Sequence, residues 1–415
     1  MASERLYYDD SYTTRFAGRV ASAESFQGRP AVELEATYFY PESGGQEADR
    51  GRIGGARVVD VQAADDGRVW HVLGEHPSDD AASAEQLRAL GDVEAEVDWT
   101  RRFDHMQQHT GQHILSAALE RELNAATISS HLGEERSTIE ADVRDLDWKT
   151  IDRIESTTNA IVWADRPIVR HWVDDEGVKR FALRKPPKFT GRIRIVEIPD
   201  WDVSACGGTH TLRTGEVGVV KIVRWERVRN NVRLEFLCGR RALRDYAWRT
   251  STLLDAARRR TIHDTQLIEH LERAASERDE LKKRVRELSE MVIGAEAAER
   301  VAQSPAGVAE FRDVWPREDV RTFAFKCLEA GARWVAAAAG APEPCLVLAR
   351  AKSATGDLRA ALLPGVLERS RGKGGGSPDF LQVAAGDATV ARAAWEWGKS
   401  EMPAVVPSVD SKREA

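Results

Sequence analysis

Two histidines, His109 and His113, stand four residues apart, and about a hundred residues later the segment Cys206-Gly-Gly-Thr-His210 sets a thiol and an imidazole at the same interval. A helix turns about 100° per residue, so His109 and His113 leave one face and can grip one ion, while Ile114, Leu115, Ala117 and Ala118 pack that helix on a core. Imidazole nitrogen and thiolate sulfur are the donors that Zn²⁺ takes in tetrahedral protein sites. The glycines between Cys206 and His210 are expected to let the backbone fold back, so that thiolate and imidazole converge on one ion. Paired histidines at helical spacing are alone more often solvated or core residues than ligands, and a lone Cys/His pair in a loop is as often one as the other. A chain with four cysteines and ten histidines, however, has few ways to place four donors in two short clusters by accident. His105 lies one turn earlier on the same face, and by spacing alone His105 with His109 is as good a pair as His109 with His113.

These donors need elements to position them. The first hundred residues carry short β-rich runs at Ala31–Glu35, Ala56–Val61, Arg68–Leu73 and Ala95–Trp99, separated by Gly, Pro and Asp clusters, which predicts a small β-barrel over 1–99. Within it, Tyr40-Pro-Glu-Ser-Gly-Gly-Gln46 is a tight turn that is either structural or offers N–H groups to an anion. The pattern turns helical from about Thr100 to Leu123 and again from Asp147 to Trp163. Strands are predicted at Arg192–Ile198, Val217–Val223 and Val232–Leu237. This predicts an α+β domain over 100–245, with a helix against an antiparallel sheet that presents Cys206 and His210.

Residues 246–300 are expected to form a long helical linker. In it Leu267, Leu271, Ala274, Arg278, Leu281, Val285, Leu288 and Val292 follow at spacings of four and three, a heptad pattern interrupted by Arg278. An intramolecular hairpin and a dimerising coiled coil through 265–293 both fit it. A C-terminal α/β domain is predicted over 301–406, containing Gly374-Gly-Gly-Ser-Pro-Asp379, which either approaches phosphate or forms a tight turn. A frayed tail is predicted over 407–415. The fold class is thus α+β and multidomain.

With 415 residues, 42% of them apolar, the chain can bury more than one core. No apolar run reaches the roughly 20 residues of a membrane span, no signal-peptide pattern opens the chain, and the four cysteines are scattered; a cytoplasmic protein that does not engage membranes is expected. The net charge of −7 argues against indiscriminate coating of nucleic acid. Yet basic runs at 179–194 and 221–249 flank the Cys206/His210 half-site, and are either solvated faces or a phosphate-backbone track.

Tyr40-Pro-Glu-Ser-Gly-Gly-Gln46, Arg102 with Met106-Gln-Gln-His-Thr-Gly-Gln-His113, Arg194-Ile-Val-Glu-Ile198 leading to Ala205-Cys-Gly-Gly-Thr-His210, and Arg233-Leu-Glu-Phe236 resemble, in this order, the editing region of alanyl-tRNA synthetases. They also resemble the free-standing AlaX trans-editing proteins. The C-terminal glycine-rich segment is similar to the synthetases' C-terminal domain, so the resemblance spans nearly the whole chain. A full synthetase would carry a class II catalytic domain ahead of the barrel, which here begins near residue 5; the long form of AlaX is therefore the better match, and ATP-independent editing is expected.

What the resemblance implies is specific. The family motif makes His109, His113, Cys206 and His210 the metal ligands, with His109, His113 and Cys206 catalytic. Its substrate-side polar residue falls on Ser130, with His131 beside it, and Gly44, Gly45 and Gln46 help place the acceptor end. Lys185, Lys188, Arg192 and Arg194 are the candidate tRNA-backbone contacts. The substrate implied is tRNA(Ala) charged with the wrong amino acid, chiefly serine and also glycine.

The ester needs little activation, so the site must position water and carbonyl and accommodate negative charge. Three tight ligands would suit a catalytic Zn²⁺ and four a structural or substrate-anchoring one, and His210 is expected to be the weaker ligand. Three other readings stand beside this one. A threonyl-type deacylase would share the His-x-x-x-His and Cys-x-x-x-His pattern. A phosphoesterase would share the C-terminal signature but needs an Asp-His-His motif that is missing here. A non-catalytic tRNA-binding module would keep a structural zinc. Self-association could run through 265–293 or the C-terminal domain.

Overall fold

Strict alternation in Asp92–Val97, where Val93, Ala95 and Val97 are buried and the acidic residues between them exposed, shows how the first hundred residues make a wall with one apolar side. The structure is a computed structural model that describes residues 2–74, 83–187 and 190–407. Six antiparallel strands close a barrel: β1 (Arg15–Phe26), β2 (Arg29–Leu34), β3 (Gly51–Ile53), β4 (Ala56–Ala63), β5 (Val69–Leu73) and β6 (Asp92–Val97), in the order β1-β2-β5-β4-β3-β6. Pairing of β6 with β1 closes the ring and leaves no edge. Val32, Leu34, Phe39, Ile53, Val58 and Val69 fill it. The expected runs correspond to β2, β4, β5 and β6. Strands β1 and β3 lacked a signal, because one is rich in Ala, Ser, Gly and Arg and the other has three residues. A short helix, α1 (Ala84–Leu90), contributes Leu87 to the barrel core.

Helix α2 (Trp99–Leu123) follows β6 directly. Asp98 caps it by accepting the Arg101 N–H, and Asn124 ends it in the left-handed conformation. Every residue from His105 to Leu119 is buried, so α2 is wrapped on all sides. Its second turn is tied to the barrel by Arg102, which is fully buried. Arg102 pairs with Asp49 and donates to the carbonyls of Ser11 (2.8 Å) and Tyr38, while Asp49 also accepts the Tyr40 N–H at 2.6 Å. A buried charge pair survives when its remaining donors are met, as these are.

Helix α2 packs on α3 (Trp148–Trp163) and on a four-stranded antiparallel sheet. The sheet comprises β7 (Thr127–Leu132), β8 (Ser137–Ala141), β12 (Val220–Val228) and β13 (Asn231–Cys238), in the order β12-β13-β8-β7. A second sheet, β9 (Val169–Val173), β10 (Ile193–Ile198) and β11 (Asp202–Ala205), carries the Cys206 loop at its end. Barrel, α2, α3 and both sheets form one compact unit that runs to Ala256 and includes most of α4 (Gly239–Arg258).

The second unit begins at Ala257. The expected continuous helical linker is instead two helices, α4 and α5 (Leu267–Gln303), separated by a turn in which Thr261 has a φ of 56°. A five-stranded sheet of β14 (Val308–Val314), β15 (Trp334–Ala341), β16 (Cys345–Arg350), β17 (Gly374–Ser377) and β18 (Phe380–Ala384) has the order β14-β15-β16-β18-β17. Helix α6 (Arg317–Glu329) and the end of α5 cover one face, and α7 (Leu358–Ser370) and α8 (Ala388–Val405) the other. Val335, Ala337 and Ala339 of β15 serve the first core, Ala336 and Ala338 the second. Of the glycine-rich signature, Gly374–Ser377 form the edge strand β17 and Pro378-Asp379 make the turn into β18. The heptad stripe of α5 is solvated, with Leu271, Leu281, Val285, Leu288 and Val292 exposed. No helix among the described residues is long and apolar enough to cross a membrane. Of the tail assigned to 407–415, all but Pro407 lies outside the described residues.

Candidate metal centre

Four side chains meet where α2 passes the end of the β9-β10-β11 sheet. The donor atoms of His109, His113, Cys206 and His210 all lie within 4.8 Å of one another. Cys206 Sγ is 3.4 Å from His109 Nε2 and 3.3 Å from His210 Nε2. A tetrahedral ion with metal–sulfur and metal–nitrogen bonds of about 2.3 and 2.05 Å would hold such atoms roughly 3.5 Å apart. His105 is not in the cluster. It sits two turns, about 12 Å, behind His113 along the helix axis, and both of its ring nitrogens are buried without a hydrogen-bond partner.

Each imidazole is held from behind. His109 Nδ1 is 2.7 Å from Gln46 Oε1, His113 Nδ1 is 2.8 Å from Asp202 Oδ2, and His210 Nδ1 is 3.2 Å from Thr110 Oγ1. With Nδ1 so occupied, Nε2 is the free donor, which is the arrangement that orients metal-binding histidines and raises their basicity. The supports are themselves braced. Gln46 accepts the Thr209 N–H at 3.2 Å and donates to Thr209 Oγ1 at 2.8 Å. Asp202 accepts from Arg184 Nε at 2.7 Å and from Ser204 Oγ at 3.0 Å.

The electrostatics agree with a site built for a cation. Burial resists charge on the Cys206 thiol, yet the charges of His109 and His210 and the hydrogen bonds from His109 and His113 bring its pKa well below the ordinary value. Burial likewise raises the Asp202 carboxyl, but the hydrogen bond and charge of His113, with Arg184, outweigh it and hold the pKa at about 2. His113 in turn is lifted to about 9 against its burial by Asp202 and Cys206. Burial and the neighbouring charge of His109 push His210 the other way, well below its ordinary value, so the surroundings favour a thiolate at Cys206 and a neutral imidazole at His210, the forms in which these side chains bind a divalent cation. These donors, their spacing and their outer partners fit Zn²⁺.

The Cys206 loop works by close approach rather than by an unusual turn. A Cβ on Gly208 would lie 2.1 Å from His109 Cε1, so only glycine lets the loop pass the ring. Arg194 then locks the loop, its Nη1 donating to the carbonyls of Cys206 (2.8 Å) and Gly208 (2.9 Å) and its Nε to that of Tyr8 (3.0 Å). Arg194 is 5% exposed, and burial lowers its pKa. This corrects its assignment to a tRNA-facing track: a phosphate cannot reach it. His210, expected to be the loosest ligand, is 1% exposed and has the longest of the three outer hydrogen bonds; Cys206 is the ligand with open surface.

The other sequence candidates separate by face. Gly45, with a φ of +86°, lies so close to β7 that a Cβ would meet Ser130 O at 2.7 Å, and its own carbonyl accepts the Leu132 N–H at 2.7 Å. Gly44 precedes it in open space. Ser130 is half-buried and pairs with buried Ile139, which puts it on the core side of β7; His131 pairs with Thr138 and is exposed on the other side. Gln46, expected to touch substrate, is fully buried and braces His109 instead. Lys185 reaches the Thr127 carbonyl at the start of β7. Arg192 is exposed and stacks over Trp172. Lys188 lies outside the described residues. In the second basic run Arg241 is buried against Asp104, and Lys221, Arg224 and Arg233 pair with Glu155, Glu226 and Glu140. Sequence reading missed Asp202 and Thr110 as partners of the histidines and Thr209 as a brace of Gln46, and it placed Arg184, which braces Asp202, in the basic run; nothing in their spacing marks these roles.

Comparison with known proteins agrees with this geometry. Residues 193–234 match the family model described as the threonyl and alanyl tRNA synthetase second additional domain. The chain is 30% identical over 399 residues to the alanyl-tRNA editing protein AlaX-L of Pyrococcus horikoshii, covering 91% of this chain and 94% of that protein. It is 35% identical over 334 residues to an alanine–tRNA ligase of Methanopyrus kandleri and 33% over 405 to that of Pyrobaculum neutrophilum. These matches cover 75% and 92% of this chain but only 35% and 42% of the ligases, so the chain corresponds to less than half the length of either ligase.

Proposed function

From the premise that the chain belongs to the long-form AlaX family of alanyl-tRNA editing proteins, we propose that it is an aminoacyl-tRNA deacylase. Its substrate is mischarged tRNA(Ala), chiefly Ser-tRNA(Ala) and also Gly-tRNA(Ala). The observation that carries this reading is the four-donor cluster with an outer partner on every histidine, set in a chain of this family.

The bond to be broken joins an amino acid to a ribose hydroxyl, an ester that water attacks readily once both are oriented. His109, His113 and Cys206, with His210, hold the cation, and Gln46, Asp202 and Thr110 fix the ring planes so that no reorganisation is needed as charge develops. Zn²⁺ bound there supplies Lewis-acid stabilisation of negative charge at the reacting carbonyl, or anchors the substrate amine if all four side chains stay engaged. Ser130, on the side of β7 that faces α2, supplies the hydroxyl that recognises a seryl side chain. A site built to hydrogen-bond that hydroxyl is left unpaired by alanine, and such a penalty discriminates better than pocket volume can. Lys185 and Arg192 face the incoming tRNA, and the unit from Ala257 onward adds affinity for its outer part. The solvated α5 stripe is the surface proposed for self-association. The barrel (1–99), editing domain (100–245), linker (246–300) and C-terminal domain (301–406) are retained as functional segments, and the cytoplasm as the site of action.

The test is a time course of amino-acid release from Ser-, Gly- and Ala-tRNA(Ala), with Ser-tRNA(Thr) as control and a chelated sample alongside. Rapid, chelator-sensitive release from Ser-tRNA(Ala) with Ala-tRNA(Ala) spared is the expected result. Release only from Ser-tRNA(Thr) makes the protein threonyl-type. No release from any substrate makes it a binding module with a structural metal.

A further inference from the structure

Beside the metal cluster, on the open side of Cys206, Tyr8 and Trp172 join Arg192 and Arg194 in a group of aromatic and cationic side chains. Trp172 on β9 pairs in register with Arg194 on β10, and Arg194 O accepts the Cys206 N–H at 3.1 Å. Trp172, Arg194 and Cys206 thus form one lateral row, with Trp172 two strand spacings, roughly 9.6 Å, from the cysteine. Tyr8 bridges the gap. Its ring meets Trp172 edge-on at 5.6 Å, and a Cβ on exposed Gly207 would touch its Cε1 and Oη at 3.6 Å.

The group is pre-set rather than loose. Trp172 Nε1 donates to Asp9 Oδ1 at 2.7 Å, and the Tyr8 carbonyl accepts from the buried Arg194. The Arg192 guanidinium carbon sits 4.3 Å from the Trp172 ring centroid, and Arg192 is exposed, with no carboxylate paired to it among the described residues. Trp172 itself is half-buried. An aromatic ring fixed at its polar edge and overlaid by an unpaired guanidinium offers a flat, cationic surface to solvent. Such layers take nucleobases, which stack on aromatic faces and guanidinium planes with little regard for hydrogen-bond pattern.

We propose that Tyr8, Trp172 and Arg192 form the subsite that stacks the adenine of the substrate's 3′-terminal nucleoside. This inference rests on the deacylase reading above. The ester to be cleaved is carried by that same nucleoside, so a reacting carbonyl beside Cys206 leaves the base within a few ångströms, in the direction of Gly207 and Tyr8. The base then fixes the position of the ribose, and the amino acid itself need not be gripped strongly.

The experiment uses the full chain with its metal. In Trp172→Ala the KM for Ser-tRNA(Ala) should rise about 10- to 100-fold while kcat changes far less, the loss expected for one base–aromatic stack. Trp172→Phe should recover most of it. Adenosine 5′-monophosphate should compete with substrate where ribose 5-phosphate does not, and Trp172→Ala should abolish the competition. Arg192→Ala, at an exposed position that folding does not depend on, should raise KM several-fold and decides the matter if Trp172→Ala fails to fold. Equal inhibition by both phosphates, an unchanged KM in either variant, or a fall in kcat at constant KM overturns the subsite while leaving the deacylase reading intact. Failure of the unaltered protein to deacylate Ser-tRNA(Ala) overturns both.

Discussion

Helices α2 and α5 both carry periodic sequences, and the structure treats them oppositely. In α2 every residue from His105 to Leu119 is buried, including three histidines and three glutamines. In the 37-residue α5 only Leu267, Ile293, Ala297 and Val301 are buried, and Leu281, within the heptad, is 65% exposed. The difference lies in what surrounds each helix. Polar residues on α2 are kept because barrel, sheets and loops converge on it and satisfy nearly every donor. The apolar stripe of α5 meets no such surroundings. A period in the sequence names a face of a helix but does not say what covers it, or whether the covering is chemistry or packing.

Four predictions sharpen or break this contrast. The largest effect is expected from Cys206→Ala, which should lose the metal and deacylation together by well over about 100-fold, since even outer partners of a metal ligand are worth up to that. Metal content by elemental analysis and single-turnover deacylation check it, and full activity after metal removal would sink the metal's role. Next, Leu115→Ala in α2 should cost about 2–5 kcal/mol in urea unfolding, whereas Leu281→Glu in α5 should cost less than about 0.5 kcal/mol within one protomer. Equal costs would mean that α5 is covered in solution; sedimentation would then show which copy covers it. Third, Asp202→Asn should weaken metal affinity about 10- to 100-fold, seen by competition with a chelating dye, because His113 loses the partner that fixes its ring.

The smallest is a pH effect. Burial, with the charges of Arg101, Arg241, Arg102 and Arg50, lowers His105 to about 3 from its ordinary 6.5. Between these values the unfolded chain binds a proton that the folded chain refuses, so stability should fall as pH drops from about 6.5 towards 3. Replacing His105 by Phe should flatten that slope in thermal melts. An unchanged slope would show that His105 is protonated, and so partnered, in the folded state.

Much of the site was legible because its information is local. His-x-x-x-His on a helix and Cys-x-x-x-His on a loop are short patterns whose geometry follows from the backbone, and the ordered motifs around them identify the family. The β-rich run at Ala95–Trp99 and the helices from about Thr100 and from Asp147 were readable for the same reason, although that strand runs over Asp92–Val97 and Asp98 caps the helix that follows it. The basic run at 179–194 was not readable. Charge in a sequence has no direction, and the fold turns Arg184 inward to Asp202 and Arg194 inward to three carbonyls, while Arg192 alone stacks outward on Trp172.

By itself, then, the sequence determined the family, the barrel, the α2 helix and the four donor side chains, because each is encoded in residues close along the chain. Spacing alone left the partner of His109 open between His105 and His113, and the family motif chose His113; the tertiary structure supplies the physical reason, which is that the Cys206 loop meets α2 at the turns of His109 and His113. The tertiary structure also supplied Gln46, Asp202 and Thr110 behind the imidazoles. Gln46 and Asp202 come from elements 63 and 89 residues away from the histidines they support, and Thr110, though on α2 itself, serves a histidine 100 residues further on. A hydrogen bond between residues so far apart leaves no periodicity in the sequence to read; it exists only once the chain has closed around the site.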